Sequence, residues 1–209
     1  MAAVGVQSGL RERQKAERRT LLLSVARRLF ETIGYDATTM AAVAAGAGVS
    51  TPTVFNYFGS KDDLMLAIIW EGHRKSGEDI ALQRIEKGVP LANALTDFFE
   101  TIAKNSMAIA GKRVWRFAEA TNIRRPKSEF VKKYSYVDDR LAKQLTAFLV
   151  RSDRTEHLKG VCEPDMLARV LYNHWNALFM AFIRDEEMTM AEHVASIRKD
   201  MKVLVDLIF

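Results

Sequence analysis

Hydroxyl, amide, phenol and ammonium side chains cluster between residues 39 and 61, and their chemistry suits nucleic acid better than catalysis. Hydroxyl, phenol and ammonium groups bind phosphate oxygens, and an asparagine can form two hydrogen bonds with the edge of adenine. No Lys or Arg lies between residues 40 and 60, so the commonest guanine contact is absent and A·T steps are favoured. The candidate DNA-binding residues are Thr39, Ser50, Thr51, Pro52, Thr53, Asn56, Tyr57 and Lys61. For Asn56 and Lys61 the alternative is an ordinary solvated surface residue.

Two short helices joined by a sharp turn would position these side chains. A helix over residues 39–47 can be capped by Thr38 or Thr39, and Gly48 can end it with a positive φ. A second helix over residues 51–57 can be capped by Ser50 or Thr51 and tolerates Pro52 in its first turn. The inward residues of these helices are Val43, Ala44, Ala47, Val54 and Phe58. This arrangement predicts a helix-turn-helix whose second helix enters a major groove.

The same region carries a family pattern. It reads GYDATTM at 34–40, VAAGAGVS at 43–50 and TVFNYFGSK at 53–61. These motifs resemble the TetR family of repressors, and the resemblance extends over about residues 15–70. It implies a three-helix DNA-binding head, a long fourth helix and a helical body that binds a ligand and dimerises. Tyr57 and Lys61 match the family's phosphate-contacting positions.

The chain departs from the family pattern at three places. Phe55 stands where tyrosine is common, so a hydroxyl that can touch phosphate is missing. Ala41 and Ala42 lack the polar groups usual in the first motif helix, and Pro52 replaces a frequent glycine. These departures affect individual contacts rather than the fold.

The positive charge is concentrated at the amino end. Residues 1–61 contain eight Lys and Arg against four Asp and Glu, whereas residues 62–209 are nearly balanced, and the net charge is +5. We therefore assign residues 1–61 to a basic arm and a DNA-binding domain, and residues 62–209 to an effector-binding and dimerisation domain. A solvated basic tail is the alternative. Side chains that can follow the DNA backbone are Arg11, Arg13, Lys15, Arg18 and Arg19.

Apolar residues recur at helical spacing along nearly the whole chain, which predicts an all-α fold. One apolar stripe joins Leu21, Leu22, Val25, Leu29, Phe30 and Ile33, and Gly34 ends it. Another helix begins near Ser60 and continues into the 80s. Later helices are predicted from Leu91 and over residues 111–122, 127–151, 164–184 and 189–208.

Aromatic residues in the body are usually core residues, but a ligand pocket between such helices is a common arrangement. The family resemblance implies that some of them line an effector site. The candidate pocket residues are Trp115, Phe117, Tyr134, His174, Trp175 and Phe179.

A basic stretch over residues 111–134 has a net charge of +6 and could receive an anionic amphipathic effector, such as an acyl-thioester conjugate. The alternative is a solvated helix face. Its basic residues are Lys112, Arg113, Arg116, Arg124, Arg125, Lys127, Lys132 and Lys133.

The two C-terminal helices, about 164–184 and 189–208, carry more apolar width than one core requires. They can pair with a second copy as a four-helix bundle, which predicts a homodimer. Two recognition helices would then meet half-sites of a DNA operator about 34–36 Å apart. The resemblance implies that an effector changes this spacing through the helix that begins near Ser60.

The sequence contains no pattern typical of an enzyme. Its histidines, His73, His157, His174 and His193, do not have the spacing of a metal site. There is no glycine-rich phosphate loop or nucleophile elbow, so we expect no catalytic residue, metal or cofactor. The single Cys162 and the absence of an apolar run of about 18 residues favour a cytoplasmic protein without a membrane span. The remaining alternatives are a non-specific architectural DNA protein and a helical interaction module.

Overall fold

The computed structural model describes residues 2–81, 88–127, 129–151 and 162–208, with side chains from residue 9 onwards except 75–81 and 129–130. Within these ranges every regular element is an α-helix, which confirms the predicted all-α fold. The helices are α1 (Ala2–Thr32), α2 (Met40–Gly46), α3 (Thr51–Phe58), α4 (Lys61–Ala81), α5 (Leu91–Ile109), α6 (Lys112–Arg124), α7 (Glu129–Arg151), α8 (Pro164–Arg184) and α9 (Met190–Ile208).

The first three helices form the head, which has a small apolar core. Leu22, Ala26 and Phe30 lie one turn apart on α1 and are fully buried. Val43 of α2 and Val54 of α3 are fully buried against the same core. Because the buried face of α1 is centred on this row, Leu21 and Ile33 lie beside it and are 47% and 46% exposed. The predicted stripe was therefore wrong at these two positions.

The basic segment that precedes the head is helical. It belongs to α1, which continues without a break from Ala2 to Thr32. Residues 9–18 are exposed on every side of this helix. The basic side chains therefore project from a helical extension of the head. The sequence analysis had left a solvated basic tail as one alternative for this segment.

The body is built around α5, whose Phe98, Phe99 and Ile102 are almost fully buried. α5 packs against α4 and α9, and α7 packs against α4 and α8. α4 and α5 approach closely at Gly72, where a Cβ atom would overlap the side chain of Ile109. This close contact requires a residue without a side chain.

α4 belongs to both parts of the molecule. It begins at Lys61 and packs against α1 and α3 of the head as well as α5 and α7 of the body. The division between residues 61 and 62 therefore stays a prediction. The structure describes α4 as far as Ala81, so its predicted continuation beyond that residue lies outside the described residues. His157 also lies outside them.

The later helix boundaries agree closely with the sequence pattern. Gly111 and Pro126 flank α6, Pro164 lies in the first turn of α8, and α9 begins at Met190. In the part of the chain that the structure describes, no helix has the length and apolar character to cross a membrane.

Candidate nucleic-acid interface and ligand cavity

Thr39 caps α2. Its backbone is extended, and its hydroxyl accepts a hydrogen bond from the amide of Ala42 at 3.0 Å. Thr38, the other predicted cap, is buried and donates its hydroxyl hydrogen to the carbonyl of Gly34 at 2.7 Å. The turn after α2 passes through Gly48 with φ of +65°, as the sequence predicted.

Ser50 is the N-cap residue of α3, and Pro52 lies in the first turn. The Ser50 hydroxyl bonds the hydroxyl of Thr53 at 2.8 Å instead of a backbone amide. Val54 and Phe58 point inward, as predicted, and are 0% and 6% exposed. Burial of these two side chains fixes the rotation of α3 about its axis and so determines which face looks outward.

The outward face of α3 is uncharged. Ser50, Pro52, Phe55 and Asn56 are exposed, and the three residues Thr51, Thr53 and Tyr57 are half-buried. Phe55 presents almost half of its surface beside the Asn56 amide. This face offers a ring, methyl groups and one amide, a combination that can pack on thymine methyls and hydrogen-bond with adenine.

Lys61 is neither a solvated lysine nor a free phosphate donor in this structure. Its ammonium group donates to the carbonyls of Tyr35, Asp36 and Thr38 at 2.8, 3.3 and 3.0 Å. The ammonium also lies 4.2 Å from the centroid of the Tyr35 ring. Since an ammonium has three hydrogens, these carbonyls use all of them, and a phosphate contact would require one to be released.

The basic residues in the first two-thirds of α1 differ in their contacts. Arg19 forms an ion pair with Glu71 of α4 at 2.7 Å and lies 4.7 Å from the centroid of the Phe58 ring, so it joins α1 to α4. Arg13 pairs with the exposed Glu17 one turn away. Arg11, Lys15 and Arg18 are exposed and remain candidates for backbone contacts.

Comparison with known families identifies the head. Residues 22–68 match the model of a family described as "Bacterial regulatory proteins, tetR family". That range runs from the apolar half of α1 through the helix-turn-helix into α4. The head of this chain is therefore similar to the DNA-binding domain of the TetR family. This confirms the resemblance that the motifs indicated.

The curated relatives match part of this chain. The "HTH-type transcriptional repressor AcnR" of Corynebacterium jeikeium is 37% identical over 87 residues, which cover 40% of this chain and 46% of AcnR. The "HTH-type transcriptional regulator HbdR" of an Aromatoleum species is 45% identical over 49 residues, 23% of this chain and 21% of HbdR. The alignments thus span less than half the length of these relatives.

Solved structures extend the similarity in fold to the whole chain. Thermus thermophilus FadR, described as a transcriptional repressor in complex with lauroyl-CoA, superimposes with a TM-score of 0.64 at 17% identity over 90% of this chain and 92% of its own. A TetR-family regulator from Pectobacterium atrosepticum has a TM-score of 0.68 at 14% identity over 94% and 96% of the two chains. At such identities the likeness concerns the fold alone.

The body contains a small cavity between α4, α5, α6, α7 and α8. Its volume is about 20 Å³, which is enough for about one water molecule. The lining residues are His73, Ser106, Trp115, Glu119, Tyr134, Val137, Asp138, Leu141, Tyr172, Trp175, Asn176 and Phe179.

Two carboxyl groups of the cavity are each bonded by a tyrosine. The Tyr134 hydroxyl donates to Glu119, and the Tyr172 hydroxyl donates to Asp138 at 2.8 Å. Burial raises the pKa of Glu119, and burial also raises the pKa of Asp138 to about 6. The low dielectric environment thus disfavours the charged form of both groups.

Two nitrogen-bearing rings complete the cavity. Burial lowers the pKa of the His73 imidazole to about 4, so the ring is neutral at pH 7, and its centroid lies 5.6 Å from that of Trp115. The Trp115 indole donates to the carbonyl of Ser106 at 2.9 Å. In contrast, no described group accepts a hydrogen bond from the indole nitrogen of Trp175, which is 2% exposed.

The structure brings together four of the six predicted pocket residues: Trp115, Tyr134, Trp175 and Phe179. It places the other two elsewhere. Phe117 lies on the opposite side of α6, with its ring 5.0 Å from that of Tyr35 in the head. His174 is half-exposed and bonds Asp200 of α9 at 2.8 Å. It is the residue before Trp175 in α8, and adjacent residues of a helix point in different directions, so its side chain does not face the cavity.

Sequence reasoning missed His73, Glu119, Asp138 and Tyr172 as cavity residues. One signal was available on α7, where Asp138 interrupts an apolar row that includes Tyr134, Leu141 and Leu145. A charged residue within an inward-facing row is rarely buried without a partner. The partner on α8, however, is distant in sequence, so the pairing was not visible.

Two residues of the basic stretch, Lys112 and Arg116, bind acceptors of this chain, and none of the stretch's Lys or Arg residues lines the cavity. Lys112 donates to the carbonyls of Asp185 and Met188, both at 2.6 Å, in the turn between α8 and α9. Arg116 donates to the carbonyl of Ile183 at 2.7 Å and pairs with Glu186. These cations neutralise the carbonyl-rich end of α8.

α6 connects the cavity to the head. Trp115 and Glu119 face the cavity, whereas Phe117 contacts Tyr35 on the other side. Tyr35 donates its hydroxyl hydrogen to Asp62 at the start of α4, and Arg125 at the end of α6 pairs with the same carboxylate. α6 is therefore in contact with the segment that precedes the helix-turn-helix.

Proposed function

We propose that this protein is a ligand-responsive, sequence-specific DNA-binding repressor that acts as a homodimer in the cytoplasm, where bacterial DNA lies. The observation that carries the proposal is the outward face of α3, where uncharged groups that can recognise bases are exposed beside the basic α1. The printed name of AcnR, a repressor, supports repression as the outcome.

Base recognition is assigned to Thr51, Pro52, Thr53 and Asn56. Phosphate contacts are assigned to Thr39, Ser50, Tyr57 and Lys61, and Lys61 must release one of its three carbonyl partners to reach a phosphate. Since α3 carries no charged side chain, sequence preference comes from the amide and from apolar contacts with thymine. Nonspecific attraction comes from the basic residues of α1.

Dimerisation is assigned to α8 and α9. Met166 and Val170 lie one turn apart on α8 and are 59% and 52% exposed, and Val203 and Leu207 on α9 are 52% and 78% exposed. Each pair forms an apolar row that a second copy can cover in a four-helix bundle. Val170→Asp should yield a monomer by light scattering, whereas the change Val150→Asp, at an equally exposed valine of α7, should leave the dimer intact.

The effector site is assigned to the cavity between α4, α5, α6, α7 and α8. A ligand that enters must enlarge it and displace α6, whose other face holds Tyr35 through Phe117. T. thermophilus FadR, which has the same fold, is described in complex with lauroyl-CoA, which supports a small organic effector for this body. Such a ligand would select a dimer whose recognition helices no longer match one DNA turn.

Selection of bound sequences from a random duplex pool at near-physiological salt tests the proposal. We expect a palindrome with A·T-rich half-sites about one helical turn apart. Enrichment of no sequence, with binding that disappears at moderate salt, would instead identify a non-specific architectural protein. Guanines as the strongest determinants would contradict the assigned role of Asn56.

A further inference from the structure

We propose that the cavity between α4, α5, α6, α7 and α8 takes an organic cation, a protonated amine or quaternary ammonium group on an aromatic or aliphatic body. The proposal rests on the proposed effector role of this cavity and names its ligand class. It differs from the anionic effector that the basic stretch suggested, because the charges that line the cavity have the opposite sign.

The charge of the lining favours a cation. Glu119 and Asp138 are carboxylic acids, and none of the cavity's described lining residues is a lysine or arginine. Tyrosine hydroxyls bond both carboxyl groups, and the Asn122 side chain also bonds Glu119, which leaves acceptor capacity on both. Arg184 lowers the pKa of Glu119, whereas no described cation acts in this way on Asp138. Because a partly buried carboxylate without a cationic partner is costly, an ammonium group beside Asp138 would compensate its charge.

The apolar part of the lining is aromatic and suits the same ligand. Trp115, Trp175 and Phe179 form a cluster in which the Trp175 ring stacks on Phe179 with centroids 5.4 Å apart. The Trp115 ring meets Phe179 edge to face at 5.8 Å. Faces of tryptophan and tyrosine attract alkylammonium groups, and the attraction is strongest where water is excluded.

A buried donor without a partner adds a second requirement for the ligand. The indole nitrogen of Trp175 is buried, and no described group accepts its hydrogen bond. Leaving a buried N–H unpaired costs free energy that an incoming acceptor would recover. The preferred ligand therefore carries an oxygen acceptor a short distance from the cation.

The cationic residues near the cavity do not contradict this assignment. Arg74 and Arg140 line a separate space of about 10 Å³ that shares His73, Val137 and Leu141 with the cavity. Lys112 and Arg116 are bound to carbonyls at the end of α8. An anionic group that reached the cavity would meet Asp138 without a compensating charge, and would meet Glu119 with only Arg184 acting on it.

A matched series of three probes tests the ligand class by calorimetry with the full chain at pH 7.5. The probes are 3-phenoxypropylamine, 3-phenoxypropan-1-ol and 4-phenoxybutyrate, which share a phenyl ether but are cationic, neutral and anionic. We expect the amine alone to bind. Equal or tighter binding of the alcohol or the anion overturns the proposal, and so does a lack of binding by the amine at millimolar concentration.

A pH series sharpens the test. Asp138 faces His73 of α4, Glu119 of α6 and Tyr172 of α8, with the exposed Asp139 beside it on α7. Because its pKa is raised to about 6, its charged fraction falls as the pH drops from 7.5 to 5. The amine remains protonated throughout, so its affinity should fall about tenfold over this range. An affinity that does not change with pH contradicts a role for Asp138.

Asp138→Asn should weaken amine binding at least about tenfold, as expected when a buried charge pair loses one partner. Asp139→Asn is the matched control, since it removes the same charge from an exposed neighbour, and it should bind like the wild type. If Asp138→Asn fails to fold by circular dichroism, Glu119→Gln replaces it. Unchanged affinity in a folded variant at either position overturns the proposal.

A DNA-release assay separates this inference from the proposed function. An amine that binds the cavity without releasing DNA leaves the ligand class standing and contradicts the proposed regulation. An anion that binds and releases DNA contradicts the ligand class and leaves the proposed regulation intact.

Discussion

The head and the body both use a few polar side chains, but they assemble them differently. In the head these groups come from a single stretch, residues 39–61, and most of them face outward. In the body the cavity's side chains come from five helices spread between His73 and Phe179, and most of them face inward. A local motif can therefore be read from adjacent residues, whereas the cavity exists only after distant helices have packed.

The largest expected effect contrasts one phenylalanine from each region. Phe99→Ala removes a fully buried ring that stacks on Trp175 at 5.5 Å, and should lower the free energy of unfolding by about 3–5 kcal/mol. Phe55→Ala removes an exposed ring from α3 and should change stability by less than about 0.5 kcal/mol while weakening DNA binding. Thermal denaturation and DNA titration measure the two effects. Similar stability losses in both variants would break the comparison.

A second prediction concerns sequence recognition by the head. Asn56→Ala should reduce affinity for the selected operator by about 1–3 kcal/mol and relax the preference for adenine at one position. The salt dependence of DNA binding by this variant should not change, because no phosphate contact is lost. Asn93→Ala, at an exposed asparagine of α5, provides the control. Uniform loss of affinity across all sequences would reassign Asn56 to the DNA backbone.

A third prediction concerns acid stability of the body. Burial lowers the pKa of His193 to about 4, and its ring stacks on Phe182 at 4.6 Å. Since the folded state favours the neutral imidazole, the contribution of this group is lost as the pH falls from its unfolded pKa towards 4. Asp138 acts in the opposite direction, because its raised pKa means that protonation at low pH favours the folded state. His193→Phe should therefore reduce the acid-dependent loss of stability between pH 6 and 4.5 by about 1–2 kcal/mol. Denaturant titrations at both pH values measure it, and an unchanged loss would refute it.

The smallest expected effect lies at the junction of the two regions. Tyr35→Phe keeps the ring contact with Phe117 but removes the hydrogen bond to Asp62. The coupling between effector binding and DNA release should fall by about 0.5–2 kcal/mol, with little change in either separate affinity. Tyr136→Phe, at an exposed tyrosine of α7, serves as the control. Full retention of coupling would mean that the signal travels through α4 alone.

The head could be predicted from the sequence because its signals are local. Gly48, Pro52 and Val54 each constrain a turn, a helix start or a buried face, and each acts on its immediate neighbours. The interactions of Lys61 could not be predicted, since its three carbonyl partners belong to the segment before α2. Sequence similarity assigned it a role without showing its partners.

The body could be predicted only as a set of helices. The bounds of α5, α6, α8 and α9 follow from proline, glycine and apolar spacing. The cavity could not be derived, because the Asp138–Tyr172 and Glu119–Tyr134 pairs depend on how helices rotate against each other. For the same reason, the sequence did not show that Lys112 and Arg116 of the basic stretch bind carbonyls at the end of α8.

The close approach of α6 to Gly34 has a consequence for the genetics of this regulator. The guanidinium of Arg113 occupies the space that a side chain at residue 34 would need, and the glycine has φ of +87°. Any substitution there would strain the left-handed backbone of the turn before α2 and displace the Arg113 side chain, without touching a DNA contact or the cavity. Among mutants selected for constitutive expression of the target genes, changes of this single codon should recur and should not respond to inducer.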